Sequence, residues 1–126
     1  MNFRNSLLFG LAALCLSGCS TTITNITPSH VQRNANNLYP FEVAVETSQA
    51  SIRENSIKPY VVIGDELYPM HAVQLVKNRW ETLVPIPAST NYLYYRYKFD
   101  YTYDRIPKPS NSSRLSTTYK LEIVDK

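Results

Sequence analysis

The sequence predicts an all-β fold: a small antiparallel β-sandwich of about six or seven strands, with a small β-barrel as the alternative. Three observations carry this. From Leu38 onward apolar residues recur with period two in short runs, where a helix would repeat every 3.6 residues. Pro, Asn, Ser and a Gly-Asp pair punctuate those runs at close intervals. Ten tyrosines in 126 residues enrich a side chain suited to a half-buried pleated surface, where the ring packs and the hydroxyl can stay wet.

The first segment stands apart from this pattern. Arg4 gives a short positive start, Leu7 to Leu16 is apolar, and the small residues Ser17 and Gly18 precede Cys19. That is the layout of a secretory leader over residues 1–18, cleaved between Gly18 and Cys19. The apolar run is shorter than the 20 or so residues a permanent membrane helix needs. Residues 19–37 are rich in Ser, Thr and Asn and read as a polar tether that, as a coil, spans roughly 25 Å. A strand within Ile23 to Val31 is the alternative there.

The sandwich is expected over residues 38–126. Phe41, Val43 and Val45 alternate with Glu42, Ala44 and Glu46 as a half-buried strand. Pro59 to Ile63 forms a second run, and Gly64-Asp65 turns it into a third stretch, Leu67 to Val76, as a hairpin. Pro69 assigns that stretch to an edge or bulge. Trp80, Thr82, Val84 and Ile86 share one side of a fourth strand, with Trp80 expected as the large central core residue. Tyr92 to Tyr103 is the strongest strand: Leu93, Tyr95, Tyr97, Phe99, Tyr101 and Tyr103 lie on one face, and Tyr92, Tyr94, Arg96, Lys98, Asp100 and Thr102 on the other. Residues 104–116 read as a polar loop, and Thr118 to Val124 as a closing strand with Tyr119, Leu121 and Ile123 inward.

Composition narrows the chemistry. Only Gly64 remains beyond the leader, so no glycine-rich phosphate loop can form. His30 and His71 have no Cys or second His at ligand spacing, which argues against metal. No Gly-x-Ser-x-Gly or Ser-x-x-Lys pattern occurs. Glu42, Glu46, Glu54, Glu66 and Glu81 read as solvated charges rather than an acid–base pair. The net charge of +3 is spread without blocks of like sign, which argues against nucleic acid as a partner. The expectation is no enzyme and no cofactor. The candidate ligand face is the polar side of the Tyr92–Tyr103 strand: Tyr92, Tyr94, Arg96 and Lys98.

Two resemblances follow. Leu16-Ser17-Gly18-Cys19 resembles the lipobox of the bacterial lipoprotein family: an aliphatic residue, two small residues, then cysteine. The resemblance implies diacylglycerol on the Cys19 thiol, cleavage before it, acylation of the new amine, and a lipid anchor in the cell envelope. Ser20, in place of Asp, implies sorting to the outer membrane. With Cys15 removed and Cys19 acylated, no disulfide could form. The body is similar to immunoglobulin-like sandwiches in a cysteine-free variant. Arg79-Trp80-Glu81-Thr82-Leu83-Val84-Pro85-Ile86-Pro87 followed by Tyr94-Tyr95-Arg96-Tyr97-Lys98-Phe99 loosely resembles starch-binding-like, early-set domains. The expected function is thus a membrane-anchored lipoprotein presenting a non-catalytic surface to an envelope protein. The alternative is a glycan-binding accessory domain using Tyr92 and Tyr94.

Overall fold

A computed structural model describes residues 21–125; the leader and Cys19 lie outside the described residues. Ten strands form among them: β1 (Thr21–Asn25), β2 (His30–Gln32), β3 (Leu38–Thr47), β4 (Lys58–Ile63) and β5 (Glu66–Pro69). The second half contributes β6 (His71–Ala72), β7 (Arg79–Pro85), β8 (Tyr92–Tyr103), β9 (Ser110–Leu115) and β10 (Tyr119–Val124). A short 3-10 helix, η1 (Glu54–Ser56), interrupts the β3–β4 connection. No helix among the described residues is long and apolar enough to cross a membrane.

The strands form a β-sandwich. The smaller sheet runs β1-β3-β7-β6, and the larger β2-β10-β8-β4-β5, with β9 also paired to β8. Period-two alternation supplies one apolar face to each sheet, and burying both faces against each other is the stable solution. From the smaller sheet Tyr39, Phe41, Val43, Val45 and Val84 enter the core; from the larger come Val61, Tyr95, Tyr97, Phe99, Leu121 and Ile123. The Phe41 ring meets Tyr95 edge-on at 4.9 Å and 82°, and Tyr95 meets Tyr97 at 5.7 Å and 86°. Each such side chain contributes about 1.5–3 kcal/mol by leaving water. Trp80, expected at the centre, is only partly buried against this core. It sits near the start of β7, paired with Val43 of β3 on one side and Ala72 of the two-residue strand β6 on the other; the tyrosines of β8 fill the centre.

The Gly64-Asp65 hairpin forms as expected, with Ile63 paired to Glu66 and Gly64 at φ +59°. Glycine at the first position of a two-residue loop accommodates that positive φ without a Cβ penalty. The stretch expected as one strand over Leu67–Val76 divides at Met70, whose side chain is buried. β5 edges the larger sheet and β6 edges the smaller, so Met70 is where the chain changes sheets. Pro69, lacking an N–H to donate, stands on an edge strand.

Two segments differ from expectation. Residues 21–37, read as tether, are built into the sandwich. β1 pairs antiparallel with β3, Thr21 to Thr47 through Asn25 to Val43. β2 pairs parallel with β10, His30 to Glu122 through Gln32 to Val124. Sheet hydrogen bonds use backbone groups, so Ser/Thr-rich sequence can complete an edge once the neighbouring strand is in place. The polar loop expected over residues 104–116 likewise contains β9, in register with β8 from Lys98–Leu115 to Tyr103–Ser110.

Candidate functional site

β8 presents the four expected residues on the outer face of the larger sheet. Tyr92 and Tyr94 are each 56% exposed. Their rings stand edge-to-face at 5.9 Å and 80°, so they project a ridge rather than one flat platform. In the adjacent strand β10, Lys120 lies opposite Tyr94 and Glu122 opposite Tyr92. Lys120 Nζ sits 5.0 Å from the Tyr92 ring centre and 3.2 Å from Glu122. That bond raises the Lys120 pKa and lowers that of Glu122. His30 Nε2, from β2, reaches Glu122 at 2.9 Å.

Along β8 the face changes character. Arg96 lies opposite Val62, and Lys98 opposite Tyr60. Lys98 Nζ is 5.8 Å from the Tyr60 ring centre and 3.3 Å from Asp100. Leu67 on β5 and Leu115 on β9, about half exposed, carry apolar surface to either side of this row. The Tyr92–Tyr94 pair and the Arg96–Lys98 pair therefore belong to one continuous outer face, aromatic at one end and basic in the middle.

Beyond Lys98 the face falls into a shallow polar depression of about 670 Å³, lined by Asn55, Lys58, Tyr60, Asp100, Asn111 and Ser112 among others. Ser113 donates to Asp100 at 2.6 Å, and that bond, with Lys98, lowers the Asp100 pKa. A carboxylate whose pKa is lowered is a weaker base toward a serine hydroxyl. Thr102 donates to Asn111 at 2.8 Å. These bonds stitch β8 to β9 across the sheet surface. No group of three His, Cys, Asp or Glu residues with metal-holding geometry occurs among the described residues. Of the five glutamates weighed as solvated charges, Glu42 lies opposite Glu81 on the smaller sheet and is ion-paired to Arg79.

A second polar constellation, inside the sandwich, escaped the sequence reading. Between β1 and β2 the chain crosses from one sheet to the other, and Asn25 and Thr27 turn inward there. The Tyr97 hydroxyl donates to Asn25 Oδ1 at 2.6 Å, and Asn25 Nδ2 donates to the Tyr95 hydroxyl at 2.7 Å. Thr27 Oγ1 lies 2.9 Å from the Tyr97 hydroxyl and accepts from the Glu42 N–H at 2.9 Å. Burial raises the pKa of both tyrosines, most strongly that of Tyr97. The network pins the N-terminal crossing to the core. Its sequence signal was the Asn-x-Thr pair between Ile23 and Val31, which looks like tether until the tyrosine hydroxyls arrive as partners.

No family model matches the chain. No curated protein matches it either. Among solved structures, a DUF4785 family protein from Legionella pneumophila is similar over 79% of this chain, at 10% identity and a TM-score of 0.44. This chain spans only 27% of that protein's length. AggA, the major subunit of aggregative adherence fimbriae type I from Escherichia coli, is similar over 84% of this chain and 95% of its own, at 14% identity and a TM-score of 0.45.

Proposed function

We propose that this chain is a lipid-anchored envelope protein whose sandwich is a non-catalytic interaction module. Acyl chains on Cys19 would hold it at the outer membrane, and the outer face of the larger sheet would engage another envelope protein. The observation that carries the interaction reading is the composition of that face. Tyr92, Tyr94, Leu67 and Leu115 stand about half exposed around Arg96, Lys98 and Lys120. Tyrosine and arginine are enriched at protein interfaces, where a ring or guanidinium buries a large area at low entropic cost.

Two further points support the anchor. The Leu16-Ser17-Gly18-Cys19 motif places the lipid one residue before Ser20, and residues 21–125 contain no other cysteine. Cys19→Ala should release the protein from membranes, read by pelleting; retention at the wild-type level would refute the anchor. Crosslinking in intact cells followed by mass spectrometry should capture a partner that Tyr92→Ala with Tyr94→Ala loses. Retention on an envelope polysaccharide, abolished by the same pair, would instead make a glycan the occupant of this face.

A further inference from the structure

The two ends of the sandwich differ in ways that bear on how it would sit at a membrane. At one end Thr21 opens β1 opposite Thr47. A small apolar cleft there brings Thr21 and Thr47 together with Phe99, Tyr101 and Arg114, so the C-terminal half of β8 lies at the same end. Ile52 bridges to Tyr103, and the Val45 N–H donates to the Asn78 carbonyl at 2.9 Å. The connections spanning residues 48–57, 73–78 and 104–109 therefore emerge side by side at the end where the chain enters.

That end carries the two most exposed large apolar side chains among the described residues, Leu75 at 105% and Ile106 at 99%. Leu75 is held at φ +65°, a left-handed conformation rare for a leucine, and outliers of this kind concentrate at functional surfaces. The loops and strand ends on this side also carry Arg53, Lys58, Lys77, Arg105, Lys108 and Arg114. The acids at this end are Glu46, Glu54, Asp100 opposite Lys58, and Asp104, the last paired with Arg53 at 2.7 Å. Lys77, Lys108 and Arg114 form no ion pair among the described residues. The opposite end carries Asp65, Glu66 and Asp125, with Arg33 bound to Asp125 at 2.7 Å.

We propose that the Leu75–Ile106 end is a membrane-contacting surface that docks on anionic lipid headgroups. Leu75 and Ile106 enter the interface, and Lys77, Arg105 and Lys108 meet the phosphates. The proposal rests on the reading of Cys19 as the lipid-bearing residue. Because β1 begins at Thr21, the two residue steps from Cys19 span at most about 7 Å. A lipid on Cys19 thus keeps this end close to the bilayer and turns the acidic end away. Basic residues beside an anionic surface and apolar side chains at the acyl boundary are the two contributions that hold peripheral proteins there.

The test uses the lipidated protein purified from bacterial membranes and reconstituted into phosphatidylethanolamine–phosphatidylglycerol vesicles. With Cys19 acylated, Ile106→Cys and, at the far end, Ser89→Cys each offer one thiol for a polarity-sensitive dye. The expected result is a blue-shifted Ile106→Cys signal quenched by spin-labelled acyl chains, and a water-like Ser89→Cys signal. Lys77→Glu with Lys108→Glu should weaken the quenching, each basic side chain being worth about fivefold in surface association. Protein that floats with the vesicles while the dye at position 106 stays in water overturns the docking and leaves the anchor standing. Protein that does not float, with Cys19 itself open to the dye, overturns the anchor reading and the docking with it.

Discussion

Tyr95 and Tyr97 point into the sandwich, 2% and 0% exposed, while Tyr92 and Tyr94, on the same strand, point out at 56% each. The residue type is the same; the strand's period of two decides the face, and the face decides the role. Inside, a tyrosine ring fills the core only if its hydroxyl finds partners, and Asn25, Thr27 and Glu42 supply them. Outside, the hydroxyl is satisfied by water and the ring remains as sticky surface. The inner pair is thus a matter of stability, and the outer pair belongs to the proposed contact surface.

Truncation separates the two pairs most sharply. Tyr97→Ala empties the centre of the core and should cost about 3–5 kcal/mol by urea unfolding, a large share of a small domain's stability. Tyr97→Phe keeps the ring but strips Thr27 and Asn25 of a partner, and should cost about 1–3 kcal/mol. If it were neutral, the inner network would not matter and the contrast would reduce to packing alone.

Alkaline titration sharpens the same point. Burial holds the Tyr97 hydroxyl protonated well above the ordinary 10.0. Above that value the unfolded chain releases a proton that the native state retains, so stability falls as pH rises through and beyond it. Tyr97→Phe should flatten that alkaline limb in pH-dependent unfolding. On the outer face, Tyr92→Ala and Tyr94→Ala should each shift stability by no more than about 0.5 kcal/mol. Asp100→Asn should cost at most about 1 kcal/mol, because its partners lie at the surface. The Asp100 contribution is present above the usual carboxylate range and disappears as pH falls through its lowered pKa.

Much of this architecture could be read from residue order. β8 spans Tyr92–Tyr103 with Tyr95, Tyr97 and Phe99 buried as alternation requires, and Tyr92, Tyr94 and Arg96 exposed. The Gly64-Asp65 hairpin and the edge position of Pro69 follow from backbone rules that act within a few residues. β9 is not legible, and β1 and β2 are legible only as the alternative strand within Ile23 to Val31, because Thr21–Asn25, His30–Gln32 and Ser110–Leu115 lack a strong apolar alternation of their own. Their hydrogen bonds go to strands distant in sequence. Trp80 is only partly buried for a related reason: its size marks it for burial, but burial also depends on what covers it.

Residue order carries the local features: period, turns, the two faces of each strong strand, and the cysteine motif on which the anchor reading rests. Long-range packing brings residues 21–32 into the sandwich, joins Asn25 and Thr27 to Tyr95 and Tyr97 across some 70 residues of chain, and sets Leu75 and Ile106 at one end with Thr21. Alternation and turn geometry act between neighbours along the chain. Edge pairing, hydroxyl satisfaction and the clustering of loops depend on which strands lie side by side, and that is settled when the two sheets close on one another.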